Sequence, residues 1–542
     1  MIYHADALHE TQKKEIIKVS YESTGFFSKL VSDYIAGDDK LRGFYKHPVS
    51  IEGIKASILA RKSFKTNRKL LVDELTKQYE GIHLNALQDQ NLQSLLGEDT
   101  FTITTAHQPN IFTGPLYFIY KIIHVIKLAD ELKIQFPEYD FVPVYYMGSE
   151  DADLDELGYI NLNGERLTWQ TKQTGAVGRM KVEKPFLQII DSIQGQIGVH
   201  PFGEELINLF KQCYSLGKTI QQATLELVNT LFAAYGLLIV IPDNANLKQR
   251  FNSVVKKELA EQFSNKAVTE TINELSKHYK AQAGGRELNL FYLIDDKRER
   301  IELINKNYTV SSLNKHWNLD EIMQELELHP ERFSANVILR GLFQETILPN
   351  IAFIGGGGEL AYWLELKKVF EAAQVPYPML ILRNSFLIVK NSYAERIEKL
   401  GFTIEDFFAD ETSLINELVY KNSTNKLSLD TEIEGIKAIY NQIKNTSYSI
   451  DTTLLPHIDS LQKETLRKIH ELEKKILRAE KRKFNDQHHQ ITNIKKSLFP
   501  HGNLQERVDN FSSYYALEGK EWLQTIYDYS NGLEQTFCIL KY

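Results

Sequence analysis

The spacing of hydrophobic positions changes repeatedly along the chain and predicts strands that alternate with helices. The predicted strands are the short apolar runs at 101–105, 141–147, 237–241, 287–294, 350–354 and 379–382. The predicted helices are the longer amphipathic stretches from 116 to about 132, over 246–281, and from 359 to about 373. Because this alternation places helices on the faces of a sheet, it favours an α/β fold with a doubly wound parallel sheet.

The two ends of the chain have a different pattern. Residues 1–97 space their apolar positions three and four apart and are predicted to be mostly helical, whereas 161–215 carry the short polar and β-like pieces of an insertion. Beyond about residue 390 an apolar seam predicts a coiled coil or helical hairpin. The seam consists of Ile469, Leu472, Ile476 and Ala479. A returning helix over 491–498 and a strand over 534–540 follow it.

Composition and charge narrow the classes of function. The 542 residues include 63 Lys and Arg against 71 Asp and Glu, a net charge of −8, which gives no nucleic-acid-binding signature. Cys213 and Cys538 are the only cysteines, so a disulfide scaffold and a Cys-rich zinc site are both excluded. Since the sequence also shows no signal-peptide pattern and no long apolar run, we expect a cytoplasmic protein with no membrane partner.

The segment 101–121 is the first candidate site. It reads as a strand, a polar loop with Gly114 and Pro115, and the start of a helix, an arrangement that offers free backbone N–H groups and a helix dipole to an anion. The polar side chains that could contact a phosphate-bearing ligand are His107, Gln108, Asn110, Thr113 and Lys121. The alternative is an ordinary strand-to-helix turn in which Asn and Gln satisfy the backbone.

The acidic loop 148–156 is the second candidate, because it follows a predicted buried strand and ligands of doubly wound sheets gather at that edge. Its carboxylates are Glu150, Asp151, Asp153, Asp155 and Glu156. They would repel one another unless they hold a substrate amine or Mg²⁺. The alternative is a solvated loop that caps a helix.

The third candidate is a tetraglycine, 355–358, which comes between a predicted strand and a predicted helix. Glycines at this point let a ligand approach the backbone and the positive end of the helix. The alternative is a loop that needs positive φ and close strand–helix packing. Arg383 and Ser385 follow the next strand and are expected at the same edge of the sheet.

Four segments together carry a resemblance to one family. They are TAHQPNIFTGPLYFIYKIIHVIKLADEL, VPVYYMGSEDADLDEL, NVILRGLFQETILPNIAFIGGGGELAYWLELKKVF and LFPHGNLQER. They occur in the family's order and are spread over most of the chain. The sequence resembles the BshC family, the cysteine ligases of bacillithiol biosynthesis.

The resemblance implies a Rossmann-like core at 1–390, similar to class I aminoacyl-tRNA synthetases, with connecting segments inserted at about 161–235 and 246–335. It implies that 391–542 form an antiparallel coiled coil, which makes a homodimer, and a tail that returns to the core. The implied reaction is the last step of bacillithiol biosynthesis: L-cysteine is joined to glucosaminyl-malate through a cysteinyl-adenylate, with ATP and Mg²⁺ and without support for zinc.

The resemblance also implies roles for the candidate residues. Catalytic roles fall to His107, Gln108, Asn110, Glu150 and Asp151. Contacts with the nucleotide are expected from Thr113, Gly114, Lys121, Gly355, Gly356, Gly357 and Gly358. Contacts with the other substrates are expected from Asp153, Glu359, Tyr362, Trp363, Arg383 and Ser385. Two other hypotheses stay open, namely another ligase or nucleotidyltransferase on the same fold and a non-catalytic dimeric scaffold.

Overall fold

The computed structural model describes residues 14–542, and strands and helices alternate through its middle part. Its strands are β1 (Glu15–Val19), β2 (Thr100–His107), β3 (Asp140–Met147), β4 (Tyr159–Leu162), β5 (Glu165–Thr168), β6 (Leu238–Val240), β7 (Leu290–Ile294), β8 (Lys297–Arg300), β9 (Glu302–Ile304), β10 (Asn307–Val310), β11 (Lys315–Trp317), β12 (Phe333–Ala335), β13 (Asn350–Gly355), β14 (Met379–Leu382), β15 (Ser385–Val389) and β16 (Phe537–Lys541).

The α-helices of the same residues fall into four groups along the chain. The first are α1 (Lys29–Ala36), α2 (Ile51–Lys62), α3 (Arg68–Gln78), α4 (Ala86–Ser94), α5 (Tyr117–Gln135) and α6 (Leu154–Leu157). The second are α7 (Lys184–Ile197), α8 (Gly203–Cys213), α9 (Ile220–Phe232), α10 (Ala245–Gln249), α11 (Asn252–Glu261) and α12 (Phe263–Leu275). The third are α13 (Leu319–Leu328), α14 (Val337–Ile347), α15 (Gly357–Leu364) and α16 (Lys367–Ala373). The fourth are α17 (Asn391–Lys399), α18 (Glu411–Asn422), α19 (Asp430–Tyr448), α20 (Leu455–Lys481), α21 (Asn485–Leu498), α22 (Ser512–Glu518) and α23 (Lys520–Tyr529).

A five-stranded parallel sheet in the order β14-β13-β2-β3-β6 forms the centre of the fold. Side chains of β2 alternate between its faces, and Phe101 and Ile103 join α2 and α5 in a dry layer on one side. On the other side Phe353 of β13 stacks on Trp363 of α15, with ring centroids 4.5 Å apart. Helices therefore cover both faces, which confirms the predicted doubly wound Rossmann-like sheet.

The N-terminal residues contain more than the predicted helices. Helices α1 to α4 begin at side chains that cap their first turns, as Ser28 does for α1 and Asn85 for α4. However, β1 precedes them, because the alternating segment Glu15–Val19 pairs with β16. Residues 1–13 of the predicted helical region lie outside the described residues.

Two insertions interrupt the sheet, one between β3 and β6 and the other between β6 and β13. The β-like pieces predicted over 161–215 are present as β4 and β5, but the helices α7 and α8, which form there around Ile193 and Phe210, were not predicted. The single helix predicted from 359 to about 373 is also wrong, because the chain forms α15 and α16 instead, with a break at 365–366.

The C-terminal helices form a long hairpin. Helices α19 and α20 run antiparallel, since Tyr440 bonds Thr465 while Lys444 bonds Gln462. The returning helix α21 buries its apolar face, and the predicted final strand is present as β16, between β1 and β15. Among the helices of residues 14–542, none is both long enough and apolar enough to span a membrane.

Candidate functional site

A cleft of about 710 Å³ opens at the carboxyl ends of β2, β3 and β13 and faces the hairpin β7–β8. We call it the central cleft. The predicted site residues that line it are His107, Gln108, Lys121, Glu150, Asp151, Gly356, Gly357, Gly358, Glu359, Tyr362 and Arg383. Residues from all three candidate segments thus meet at one edge of the sheet, as expected for parallel strands whose carboxyl ends lie side by side.

His107 ends β2 and is buried below the cleft surface. Its Nε2 has no hydrogen-bond partner among the described residues, and its ring packs on Tyr117 and Phe118. Burial disfavours the imidazolium and lowers the pKa of His107 well below its usual range, and the positive charges of Lys121 and Arg340 lower it further. The ring is therefore neutral at pH 7 and can accept or donate one hydrogen bond through Nε2.

The acidic loop is partly neutralised by the protein itself. Asp151 accepts a hydrogen bond of 3.1 Å from Gln108, and Glu150 forms an ion pair with Lys248. Asp153 is exposed and accepts from the backbone N–H of Glu156, so it caps α6 and does not line the cleft. Asp151 and Glu156 are consequently the carboxylates of this loop that face the cleft without an ion pair to residues 14–542.

Lys121 was predicted to reach a phosphate as a free cation, but its ammonium group is already paired. Its Nζ lies 2.5 Å from Oε2 of Glu359 and donates to the carbonyl of Ala106 at 2.7 Å. Glu359 also accepts from the N–H of Gly356 at 2.8 Å and so closes the first turn of α15. Both charges contribute to the cleft wall as a pair, and neither side chain is free to bind a substrate alone.

The tetraglycine divides between strand and helix. Gly355 belongs to β13, where a Cβ atom would lie 2.8 Å from the ring of Phe353, so this position requires glycine for packing. A Cβ atom on Gly358 would meet no atom within 4 Å, because that side of the helix start opens into the cleft. None of the four residues has positive φ, so backbone strain does not explain them, and close packing explains Gly355 alone of the two described above.

Arg383 lines the cleft, yet its guanidinium fork is engaged by the protein. It donates to Oε1 of Glu506 at 2.7 Å and to Oγ of Ser385 at 3.0 Å, and all three side chains are buried. The expected bidentate contact of Arg383 with a substrate carboxylate is therefore not available in this geometry. Ser385 lies behind Arg383 and has no place in the cleft surface.

Several other predicted residues lie outside the cleft because the structure uses them for packing. Asn110, Thr113 and Gly114 form a tight turn with positive φ at Thr113 and Gly114, and Asn510 donates to the carbonyl of Gly114 at 2.6 Å. Trp363 is 1% exposed and lies under the sheet against Phe353. These positions can support the cleft but do not contact a ligand within it.

Most of the positive charges of the cleft were not apparent from the sequence. They are Arg286, Arg298, Arg300, Arg340 and Arg507. Arg298 and Arg300 share β8, whereas Arg286, Arg340 and Arg507 lie in other segments, and only the fold brings them together. The one signal in the sequence was the presence of Arg340 and Arg507 inside segments that carry the family resemblance.

Comparisons with known proteins agree with this architecture. Residues 14–384 match the family described as bacillithiol biosynthesis BshC, N-terminal Rossmann-like domain, and residues 386–542 match its C-terminal coiled-coil domain. A protein of Flavobacterium johnsoniae is 38% identical over 96% of this chain and 99% of its own length, and one of Flavobacterium psychrophilum is 39% identical over 97% and 99%. One of Christiangramia forsetii is 38% identical over 97% and 98%; all three are named "Putative cysteine ligase BshC". The chain belongs to the BshC family.

Proposed function

We propose that this protein is a ligase that joins the carboxyl group of L-cysteine to the amine of glucosaminyl-malate and so forms bacillithiol. The observation that carries the proposal is family membership over residues 14–542, together with the ligase name of its relatives. The chemistry of the central cleft supports it, since a ligase of this kind must hold several anionic groups next to an amine.

The first step of the proposed reaction activates cysteine. Its carboxylate oxygen attacks the α-phosphorus of ATP, the bond to the β-phosphate breaks, and pyrophosphate leaves with the electron pair. The start of α15, where Gly357 and Gly358 expose backbone N–H groups, is suited to hold phosphate oxygens. The neutral His107 can donate a hydrogen bond to the oxygen on which charge develops.

The second step transfers the cysteinyl group. The amine nitrogen of glucosaminyl-malate attacks the carbonyl carbon, a C–N bond forms, the C–O bond to AMP breaks, and AMP leaves. The amine gives up a proton in this step, and Asp151 is the carboxylate of the cleft placed to accept it. Gln108 holds that carboxylate in position.

Magnesium fits this cleft only together with the nucleotide. Within residues 14–542 no three His, Cys, Asp or Glu side chains form a cluster for a metal ion. Mg²⁺ bound to ATP needs only one or two carboxylates besides the phosphates, and Glu156 can supply one, which leaves Asp151 to accept the proton. Bound there, the ion would partly neutralise the negative charge of the ATP phosphates.

A cysteine-dependent exchange of labelled pyrophosphate into ATP tests the proposed adenylate. We expect exchange with cysteine and none with serine, and bacillithiol when glucosaminyl-malate is added to the purified chain. Bacillithiol formation without any exchange would contradict the adenylate. A deletion strain with an unchanged profile of small thiols would contradict the reaction itself and favour another ligase or a scaffold.

A further inference from the structure

Arg298 and Arg340 of the central cleft form no ion pair with a carboxylate of residues 14–542, and the same holds for Arg286, Arg300 and Arg507. Lys121 is paired with Glu359, and Arg383 is paired with Glu506. By contrast, neither Arg298 nor Arg340 forms an ion pair with a carboxylate of residues 14–542, although both are half-buried in the cleft wall. A half-buried cation without a counter-ion lowers its free energy by binding an anion, so this pair indicates where a ligand charge belongs.

Arg298 is held in a fixed orientation at one side of the cleft. Its Nε donates to Oγ of Ser334 at 3.1 Å, its Nη2 donates to the carbonyl of Ala335 at 3.3 Å, and its guanidinium lies 4.0 Å from the ring centre of Phe291. These contacts leave Nη1 without a protein acceptor among the described residues. A planar group that is fixed in this way loses little side-chain entropy when it binds a carboxylate.

Arg340 approaches the same space from α14. Its Nη2 donates to the hydroxyl of Tyr362 at 3.2 Å. Its Nη1 is close to the end of β3, since a Cβ atom on Gly148 would lie 3.5 Å from it. The absence of a side chain at Gly148 therefore lets the guanidinium lie against the strand end. Ala335 and Asn336 line the cleft here too, so the positive end of α14 adds to the field of the two arginines.

We propose that Arg298 and Arg340, with the start of α14, bind a dicarboxylate. On the proposed function, on which this assignment rests, that ligand is the malyl group of glucosaminyl-malate. Each guanidinium keeps an Nη1 group without a protein acceptor among the described residues, so the two arginines offer one charged donor to each of two carboxylates. The triphosphate is assigned to the start of α15, where backbone N–H groups suit phosphate oxygens, which leaves these two arginines for the carboxylates of the second substrate.

Binding measurements on the full-length chain test this site. We expect Arg298→Gln and Arg340→Gln each to weaken binding of L-malate and of glucosaminyl-malate by about ten- to hundredfold in titration calorimetry, since each removes a charged hydrogen-bond donor. Arg340→Lys keeps the charge and loses the fork, so its loss is smaller. The affinity for methyl glucosaminide, which lacks malate, and the rate of cysteine-dependent pyrophosphate exchange are expected to change less than twofold in these variants.

The control variant is Arg166→Gln, because Arg166 also stacks on an aromatic ring, that of Tyr159, but lies outside the cleft. Malate binding that is absent in the wild-type chain, or unchanged in both variants, overturns the proposal. If the variants lose pyrophosphate binding and keep malate binding, the proposal is also overturned, because the arginines then belong to the nucleotide site. If malate binding depends on both arginines but the purified chain makes no bacillithiol, the dicarboxylate site stands and the proposed reaction is contradicted.

Discussion

At the scale of single residues, buried histidines link the stability of this protein to pH. His124 is fully buried, its Nε2 donates to the carbonyl of Gly532 at 2.7 Å, and its Nδ1 accepts from the backbone N–H of Asn384. Burial lowers the pKa of His124 to about 4. Protonation of Nδ1 would in addition place its N–H opposite the backbone N–H of Asn384. His47 has a pKa of about 4 for the same main reason, burial.

These depressed pKa values predict loss of stability in mild acid. Below the unfolded histidine pKa of about 6.5, the unfolded chain takes up a proton that folded His124 does not, so the free energy of unfolding falls as pH falls. Between about pH 6.5 and pH 5 this residue is expected to remove about 2 kcal/mol. Denaturant titrations of His124→Asn should show a smaller pH slope, whereas those of the exposed His83→Asn should keep the wild-type slope. Equal slopes in all three proteins would contradict the assignment.

Individual residues also show where sequence reasoning failed. Arg383 was recognised as a cleft residue because it follows a strand at the correct edge, but its partner Glu506 comes from a region 123 residues away and could not be assigned to it. Arg298 lies on a hairpin inside an insertion, where no periodicity points to a ligand. Local patterns locate the edge of the sheet, whereas the pairing of charges across that edge depends on tertiary contacts.

At the scale of elements, strands were easier to predict than helices. Strands β3 and β13 of the central sheet are rich in apolar residues because both faces of the sheet are covered, and such runs are visible in sequence. Helices α7 and α8 were missed since their apolar residues are separated by polar ones that also resemble short strands. The break between α15 and α16 has no proline or glycine to announce it.

The junction of β13 and α15 gives a prediction about its glycines. Gly355→Ala is expected to lower the free energy of unfolding by about 1–3 kcal/mol, because the added methyl group clashes with Phe353. Gly358→Ala is expected to raise it by about 0.5–1 kcal/mol, because alanine is favoured in a helix and meets no atom there. The same methyl group enters the cleft, so if ATP binds there as proposed, its KM should rise in the stabilised variant. Equal changes in the free energy of unfolding for Gly355→Ala and Gly358→Ala would contradict this prediction.

At the scale of the whole molecule, the C-terminal residues complete the cleft. Glu506 neutralises Arg383, and Asn510 supports the turn at Gly114. Replacement of Glu506 by Gln leaves a buried guanidinium without a counter-charge, and the free energy of unfolding should fall by about 3–5 kcal/mol. The matched control is Lys18→Gln, which breaks the exposed pair with Glu534 and should cost less than about 1 kcal/mol. A loss in Glu506→Gln no larger than that of the control would remove Glu506 from this role.

The long hairpin leads to a prediction about assembly. Helices α19 and α20 expose apolar side chains, among them Ile439 and Leu472, and Ile450 between them is 76% exposed. We propose that a second copy of the chain covers them in a homodimer. Ile439→Glu with Leu472→Glu should shift the sedimenting species from dimer to monomer, whereas Ile134→Glu, on an exposed site of α5, should not. A monomeric wild-type chain would contradict the proposal.

Strand β16 lies between β1 and β15, and its Lys541 reaches back to Glu15 over a separation of 526 residues. At roughly 5–20 residues per second, β1 leaves the ribosome some 25 to 100 seconds before the only strand that it pairs with among the described residues. Glu506 and Asn510 emerge almost as late. Nascent chains that end before these residues should therefore form the central sheet without the contacts that support the turn at Gly114 and neutralise Arg383.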